Sequence, residues 1–345
     1  MPSTEREELP KQSKEGLQAF IRQHPEYSID NFQPVYRGGT NLVTFGQRRT
    51  ETGEQQPVVY KYFIRTYRYS QEYFCLRHFA DTGHVPIILD AIPDRLIVMT
   101  RLPDSHIEGE TAHFNLDQRK QVSRQIGHAI GDLVQWPLPT AESQPIPETE
   151  FEQFAWRTDV GAIIKDVLVC CRQIQANVPA YQTSLYTESL YFAEKHVDYI
   201  AQQPRCLFHE DIPNLCIYEG HFQGFYDLEM ARIGTEALQL GVALDLCRPH
   251  WMEGEWLVWA EFIEGYQERT GRTLTESDFL AILTMSHFYY HIRICRWCEW
   301  DGDLTQSDHL EFATRFAERY HTYMKRTCMS IKGWVDLYKW FPSLR

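Results

Sequence analysis

"LFHEDIPNLCIYEGHFQGFYDLEMARIG", residues Leu207 to Gly234, sets two aspartates and an asparagine around what reads as one small β-hairpin. Asp211 and Asp227 each follow closely on a short apolar run, and Asn214 stands between them. Solvated turns favour Asp and Asn because their side chains bond the local backbone. The same residues also suit a Mg²⁺ ion, which takes one or two carboxylates, an amide carbonyl and phosphate oxygens. Phosphoryl transfer needs little covalent work from a protein. It needs phosphates, ions and an acceptor hydroxyl held in line, with charge neutralised. On that reading Asn214 and Asp227 hold metal, and Asp211 accepts the acceptor's proton. The two strands of the hairpin bring the loops side by side.

Composition narrows the alternatives. A chain of 345 residues buries a large core and suggests two domains or one bilobal unit. The hydrophobic content of 43% is that of a globular protein. A formal net charge of -13 argues against a nucleic-acid groove, which needs a basic field, and is compatible with a cationic small ligand. No run approaches the length of a membrane span, and the start, "MPSTEREELPKQSKEG", is polar and charged, unlike a signal peptide. Nine Cys at irregular positions do not form a disulfide framework, so a reducing cytoplasm is expected. The oligomeric state is not legible.

Around the hairpin the chain divides in two. Residues 1–31 read as a polar tail and a short helix near Gly16–His24. Residues 32–102 read as a β-rich unit: "FQPVYR" and "LVTFGQR" flank Gly38-Gly39, "PVVYKYFIRT" follows, and "VPIILDAI" and "RLIVMTRL" close it. One helix interrupts it, "SQEYFCLRHFADTG", with Ser70 as its expected N-cap and Gly83 near its end. Residues 103–345 read as mainly helical. Val122, Ile126, Ile130 and Leu133 recur at helical spacing, residues 137–150 form a Pro-rich loop, and helices are expected at about 151–175 and 184–203.

These motifs together resemble the aminoglycoside phosphotransferase and choline kinase family. "FHEDIPNLCIY" is similar to its catalytic loop and "GFYDLEMARIG" to its metal-binding segment. "RGGTNLVTF" (Arg37–Phe45) resembles the loop over the phosphates, Lys61 the third-strand lysine, Glu72 the helix glutamate that pairs with it, and "RLIVMTRLPD" (Arg95–Asp104) the linker that takes the adenine edge. The resemblance covers about residues 32–330 in the family's order. It implies an α+β, bilobal protein-kinase-like fold, with a small antiparallel β lobe carrying one helix and a larger, mainly helical lobe. It implies ATP and Mg²⁺ as cofactors and a small-molecule hydroxyl as acceptor: an aminoglycoside, a sugar or an amino alcohol. The site residues it implies are Asp211 for catalysis, Gly38, Gly39, Thr40, Lys61, Glu72, Met99 and Arg101 for the nucleotide, and Asn214, Asp227 and Glu229 for metal. Glu229 could instead cap the segment that follows it. In one place the chain departs from the family: Asn214 lies three positions after Asp211, where the family usually has five. That departure motivates an alternative, a nucleotide-binding scaffold without transfer activity. A protein Ser/Thr kinase ranks below both, since no Ala-Pro-Glu segment follows Asp227.

Other features read as structural. His209 is expected to anchor its loop. Cys295 and Cys298 have metal-ligand spacing but no second pair, so no zinc is expected. Arg248–Trp256 and Cys298–Asp303 combine aromatic and acidic residues, which suit a cation or polyol on the acceptor side but read first as core aromatics and solvated acids.

Overall fold

The computed structural model describes residues 14–30, 41–63, 65–103, 114–140, 160–177, 179–209, 214–244, 257–286 and 331–344. Alternation decides the first unit. In β3 (Gln55–Phe63) Val58, Tyr60 and Tyr62 point to one face, and Val59, Lys61 and Phe63 to the other. The neighbouring strands repeat the pattern: β1 (Tyr27–Ile29), β2 (Asn41–Arg49), β4 (Ile88–Ile92) and β5 (Leu96–Thr100) complete an antiparallel sheet in the order β1-β2-β3-β5-β4. Lys61 sits in the middle strand, opposite Val43 on one side and Ile97 on the other.

The two faces bury different things. A helix over residues 14–23 (α1) lays Leu17 and Phe20 on Tyr27, Val58, Tyr60, Leu96 and Val98. The opposite face, with Phe63, Ile97 and Met99, joins the main core together with Leu76 and Phe79 from α2 (Thr66–His78) and its end. β1 was not expected from the sequence, because three residues are too few for alternation to register. α2 also begins a turn before the expected cap: Ser70 lies inside it, and Arg65 at its N-cap makes no side-chain cap bond. Burial of Tyr67, Arg68 and Tyr69 outweighs the missing cap.

The helical lobe follows its periodicity more closely. α3 (Leu116–Gln135) starts at a reciprocal capping box between Asn115 and Gln118, and buries Val122, Ile126, Ile130 and Leu133 as the spacing predicts. α4 (Val160–Asn177) and α5 (Ser184–Ala201) pack on each other, α6 (Glu236–Ala243) and α7 (Trp259–Thr270) pack on α3, and a further helix covers residues 276–286. α3 and α7 cross closely at Gly127, where any Cβ would lie 2.1 Å from the Phe262 carbonyl oxygen.

The opening stretch supplies the floor between the lobes. β6 (Arg205–Phe208) pairs with β9 (Arg232–Thr235), and between them β7 (Leu215–Tyr218) and β8 (His221–Phe225) form the expected hairpin. Phe225 donates its N–H to the carbonyl of His84, in the loop that follows α2, at 2.7 Å. Gly224 permits this approach, since a Cβ there would stand 3.0 Å from the same carbonyl oxygen and its φ is 151°. His84 is fixed in turn by Asp132 of α3 at 2.9 Å.

Candidate nucleotide and metal site

Five of the sequence-derived residues converge. Lys61 Nζ donates to Glu72 Oε2 at 2.8 Å and to Asp227 Oδ1, and lies 3.3 Å from Glu229 Oε2. Asn214 donates from Nδ2 to Asp227 Oδ2 at 3.1 Å, and its carbonyl accepts the Tyr226 N–H at 2.9 Å. The shortened spacing after Asp211 therefore leaves Asn214 beside Asp227. Lys61, Glu72 and Glu229 are buried, whereas the Asp227 side chain keeps 37% of its surface open.

Each element has a local reason to present its group. Lys61 is on the cleft face by strand parity. Glu72 is held by a helix whose neighbouring residues are buried. Asp227 takes a left-handed backbone, φ 61° and ψ 55°, immediately before a 3₁₀ turn at Leu228–Met230. Asp adopts that region more readily than most side chains, and strain of this kind collects at functional sites.

The electrostatics are set by burial and by close pairing. Burial alone would lower the Lys61 pKa, but Asp227, Glu72 and Glu229 outweigh it and hold the ammonium well above its usual range. Burial pushes Glu72 up to about 7, against the pull of Lys61. Asp227 is held below the usual aspartate range: burial opposes ionisation, but Lys61, its hydrogen bond, His209 and Arg68 prevail. One ligand oxygen each from Glu72, Asp227 and Glu229 lies within 4.8 Å of the others, a set that could hold a metal ion. The Lys61 ammonium already bonds or pairs with all three acids.

Met99 lies on β5 opposite Val59, on the face shared with Lys61. Arg101 follows that strand. Its N–H is taken by the Pro57 carbonyl at 3.2 Å, and its guanidinium stacks 4.2 Å above the Phe45 ring. Asp211, Gly38, Gly39 and Thr40 lie outside the described residues, as do Cys295, Cys298 and both aromatic-acidic stretches. His209 is buried, its N–H bonded to Gln239 Oε1 at 2.9 Å and its ring 5.9 Å from that of Phe225. Sequence reading passed over three residues that touch this site. Arg68 bonds Glu229, Asn41 bonds the same carboxylate, and Gln71 donates to the Ala231 carbonyl. A signal was available for one: Arg68 lies four residues before Glu72, on the same helix face.

Comparison with known proteins places the whole chain. The model of the phosphotransferase enzyme family matches residues 48–280, more than half of the chain. The chain belongs to that family. Solved structures share its fold. One is the ADP-bound aminoglycoside phosphotransferase APH(2'')-Ib, at 13% identity and a TM-score of 0.56, covering 90% of this chain and 98% of that one. A second is the apoenzyme of macrolide 2'-phosphotransferase MphH from Brachybacterium faecium, at 16% identity and 0.58, covering 88% and 97%. A third, a GDP and kanamycin complex of an APH(2'') enzyme, has 13% identity and a TM-score of 0.60, covering 88% and 96%. No curated protein matches the sequence. The fold is the α+β, kinase-like one expected, and among the described residues no helix is long and apolar enough to cross a membrane.

Proposed function

We propose that the protein is an ATP-dependent phosphotransferase that moves the γ-phosphate to a hydroxyl of a small molecule. The observation that carries this reading is the buried Lys61–Glu72 pair joined to Asp227, with Asn214 bonded to the same aspartate. Lys61 holds the nucleotide phosphates and Glu72 fixes Lys61. The segment Gly38–Thr40 covers the phosphates, and Met99 and Arg101 border the adenine side. Asn214 and Asp227 offer the hard oxygen donors that Mg²⁺ requires. When bound, the ion neutralises the charge that develops on the phosphates. Asp211 orients the acceptor hydroxyl and takes its proton.

The acceptor belongs to the class of aminoglycosides, sugars and amino alcohols, and the chain's net charge of -13 suits a cationic member. The free cysteines Cys75, Cys171, Cys206 and Cys216 fit a reducing compartment, and we place the protein in the cytoplasm.

The spacing of Asp211 and Asn214 favours a second reading, a scaffold that binds nucleotide without transfer. The bond from Asn214 to Asp227 counts against it. One assay separates them: ADP or GDP release from ATP or GTP over a panel of hydroxylated metabolites and aminoglycosides. Acceptor-dependent release is the expected result. Nucleotide binding with no release for any acceptor would leave the scaffold.

A further inference from the structure

Glu229 stands two residues after Asp227, where a second metal-ligating carboxylate would be easy to imagine. Its surroundings give it other work. Oε1 accepts from Arg68 Nη1 of α2. Oε2 accepts from Asn41 Nδ2, at the first residue of β2, and lies 3.3 Å from Lys61 Nζ. Its side chain is 5% exposed and that of Arg68 is 9% exposed, against 37% for Asp227. An arginine keeps its charge at any working pH and cannot release its partner by deprotonation. Breaking a buried pair strands an uncompensated charge, so a cation from solvent competes poorly for Glu229.

The same helix grips the rest of that segment. Glu72 reaches Asp227 through Lys61, and Gln71 donates to the Ala231 carbonyl. Gln71 and Glu72 are almost fully buried. Asn41 directly follows Thr40, the end of the segment assigned to the phosphates. Glu229 thus ties three pieces of chain together: the start of β2, the helix behind Lys61, and the loop that carries Asp227.

We propose that Glu229 is a positioning residue rather than a metal ligand, and that Arg68 and Asn41 use it to hold the start of β2, α2 and the Asp227 loop in one arrangement. This rests on the nucleotide-binding reading above. It makes the nucleotide site an assembled unit whose geometry exists before any metal arrives.

The test compares ADP affinity with Mg²⁺ and with EDTA, by calorimetry, for the wild type, Glu229→Gln, Arg68→Met, Arg68→Lys and Asn41→Ala. The expected result is that Glu229→Gln, Arg68→Met and Asn41→Ala each weaken ADP by about tenfold or more, the usual scale for removing a supporting partner. The loss is the same fold in both conditions, and Arg68→Lys recovers part of it. A loss confined to Mg²⁺ in Glu229→Gln would make Glu229 a metal ligand and overturn the proposal, as would unchanged affinity in Arg68→Met and Asn41→Ala. Asn41 is partly exposed, so its variant keeps the test decisive if the Arg68 variants do not fold. A wild type that binds no ADP would instead defeat the nucleotide-binding reading itself.

Discussion

Lys61→Met tests whether the ammonium is what holds the three acids together. In the wild type one lysine serves Glu72, Asp227 and Glu229, whose ligand oxygens lie within 4.8 Å of one another. Methionine fills similar space and carries no charge, so the substitution removes the cation with little loss of packing. Arg68 then remains bonded to Glu229, and Glu72, which burial already holds at about 7 against the pull of Lys61, loses that pull and stays buried without its partner. Removing one partner of a buried pair costs about 3–5 kcal/mol, because the group left behind stays buried without its partner. At roughly 2 °C per kcal/mol for a large domain, the melting temperature falls by about 6 °C or more.

The deficit has a specific remedy. Glu72 and Asp227, freed of lysine while Arg68 keeps Glu229, leave two carboxylates that can take a hard divalent cation. At about ten times its Kd, a bound ion adds roughly 1.4 kcal/mol by mass action. Thermal melting of both proteins without nucleotide, with and without MgCl₂, is the assay. The variant should regain a few degrees with Mg²⁺ while the wild type moves less, since Lys61 already occupies the acids. A variant that melts with the wild type, or an equal Mg²⁺ shift in both, refutes this account of the cluster.

Asp211→Asn should leave ATP affinity nearly unchanged and cut transfer by at least about 100-fold, as single-turnover rates and calorimetry would show. Asp227→Ala should remove the Mg²⁺-dependent part of the thermal shift given by MgATP; a retained metal dependence would contradict its assignment. Gly127→Ala gains about 1 kcal/mol of helix propensity. It also sets a Cβ 2.1 Å from the Phe262 carbonyl oxygen, so overpacking of about 1–3 kcal/mol or more should win, and a stabilised variant in urea melts would disprove the close crossing. Asp278 is partly desolvated, yet it accepts from the Thr275 N–H and hydroxyl, both at 2.8 Å, and from Arg272 at 2.6 Å, so its pKa lies below the usual aspartate range. A depressed folded pKa gives stability that is present above the unfolded value and lost as pH falls through the folded one, so Asp278→Asn should flatten the acid limb of a Tm–pH curve below about pH 4.

What could be read from the sequence here depended on how far apart the interacting residues lie. Lys61 was legible only through the family resemblance, its face then being fixed by alternation in the structure, and the β7–β8 hairpin because its strands adjoin. The helix over Leu116–Gln135 declared itself through four core positions at helical spacing. Tyr27–Ile29 did not, because its strand character comes from pairing with Gly46–Arg48 rather than from its own pattern. The start of α2 was misread for a related reason: Ser70 is a good cap locally, but Tyr67 and Tyr69 bury aromatic surface that a cap cannot match. Glu229 is the sharpest case. Two residues from Asp227, it reads as a second metal ligand or as a cap, and no nearby residue decides between them. The groups that define its chemistry, Arg68 and Asn41, are 161 and 188 positions away. Motif spacing places a carboxylate beside a metal loop, but whether that carboxylate meets a metal or a guanidinium is settled by which helix folds over it. In this chain the helix that carries Glu72 also carries the arginine, so one element both orients Lys61 and claims Glu229.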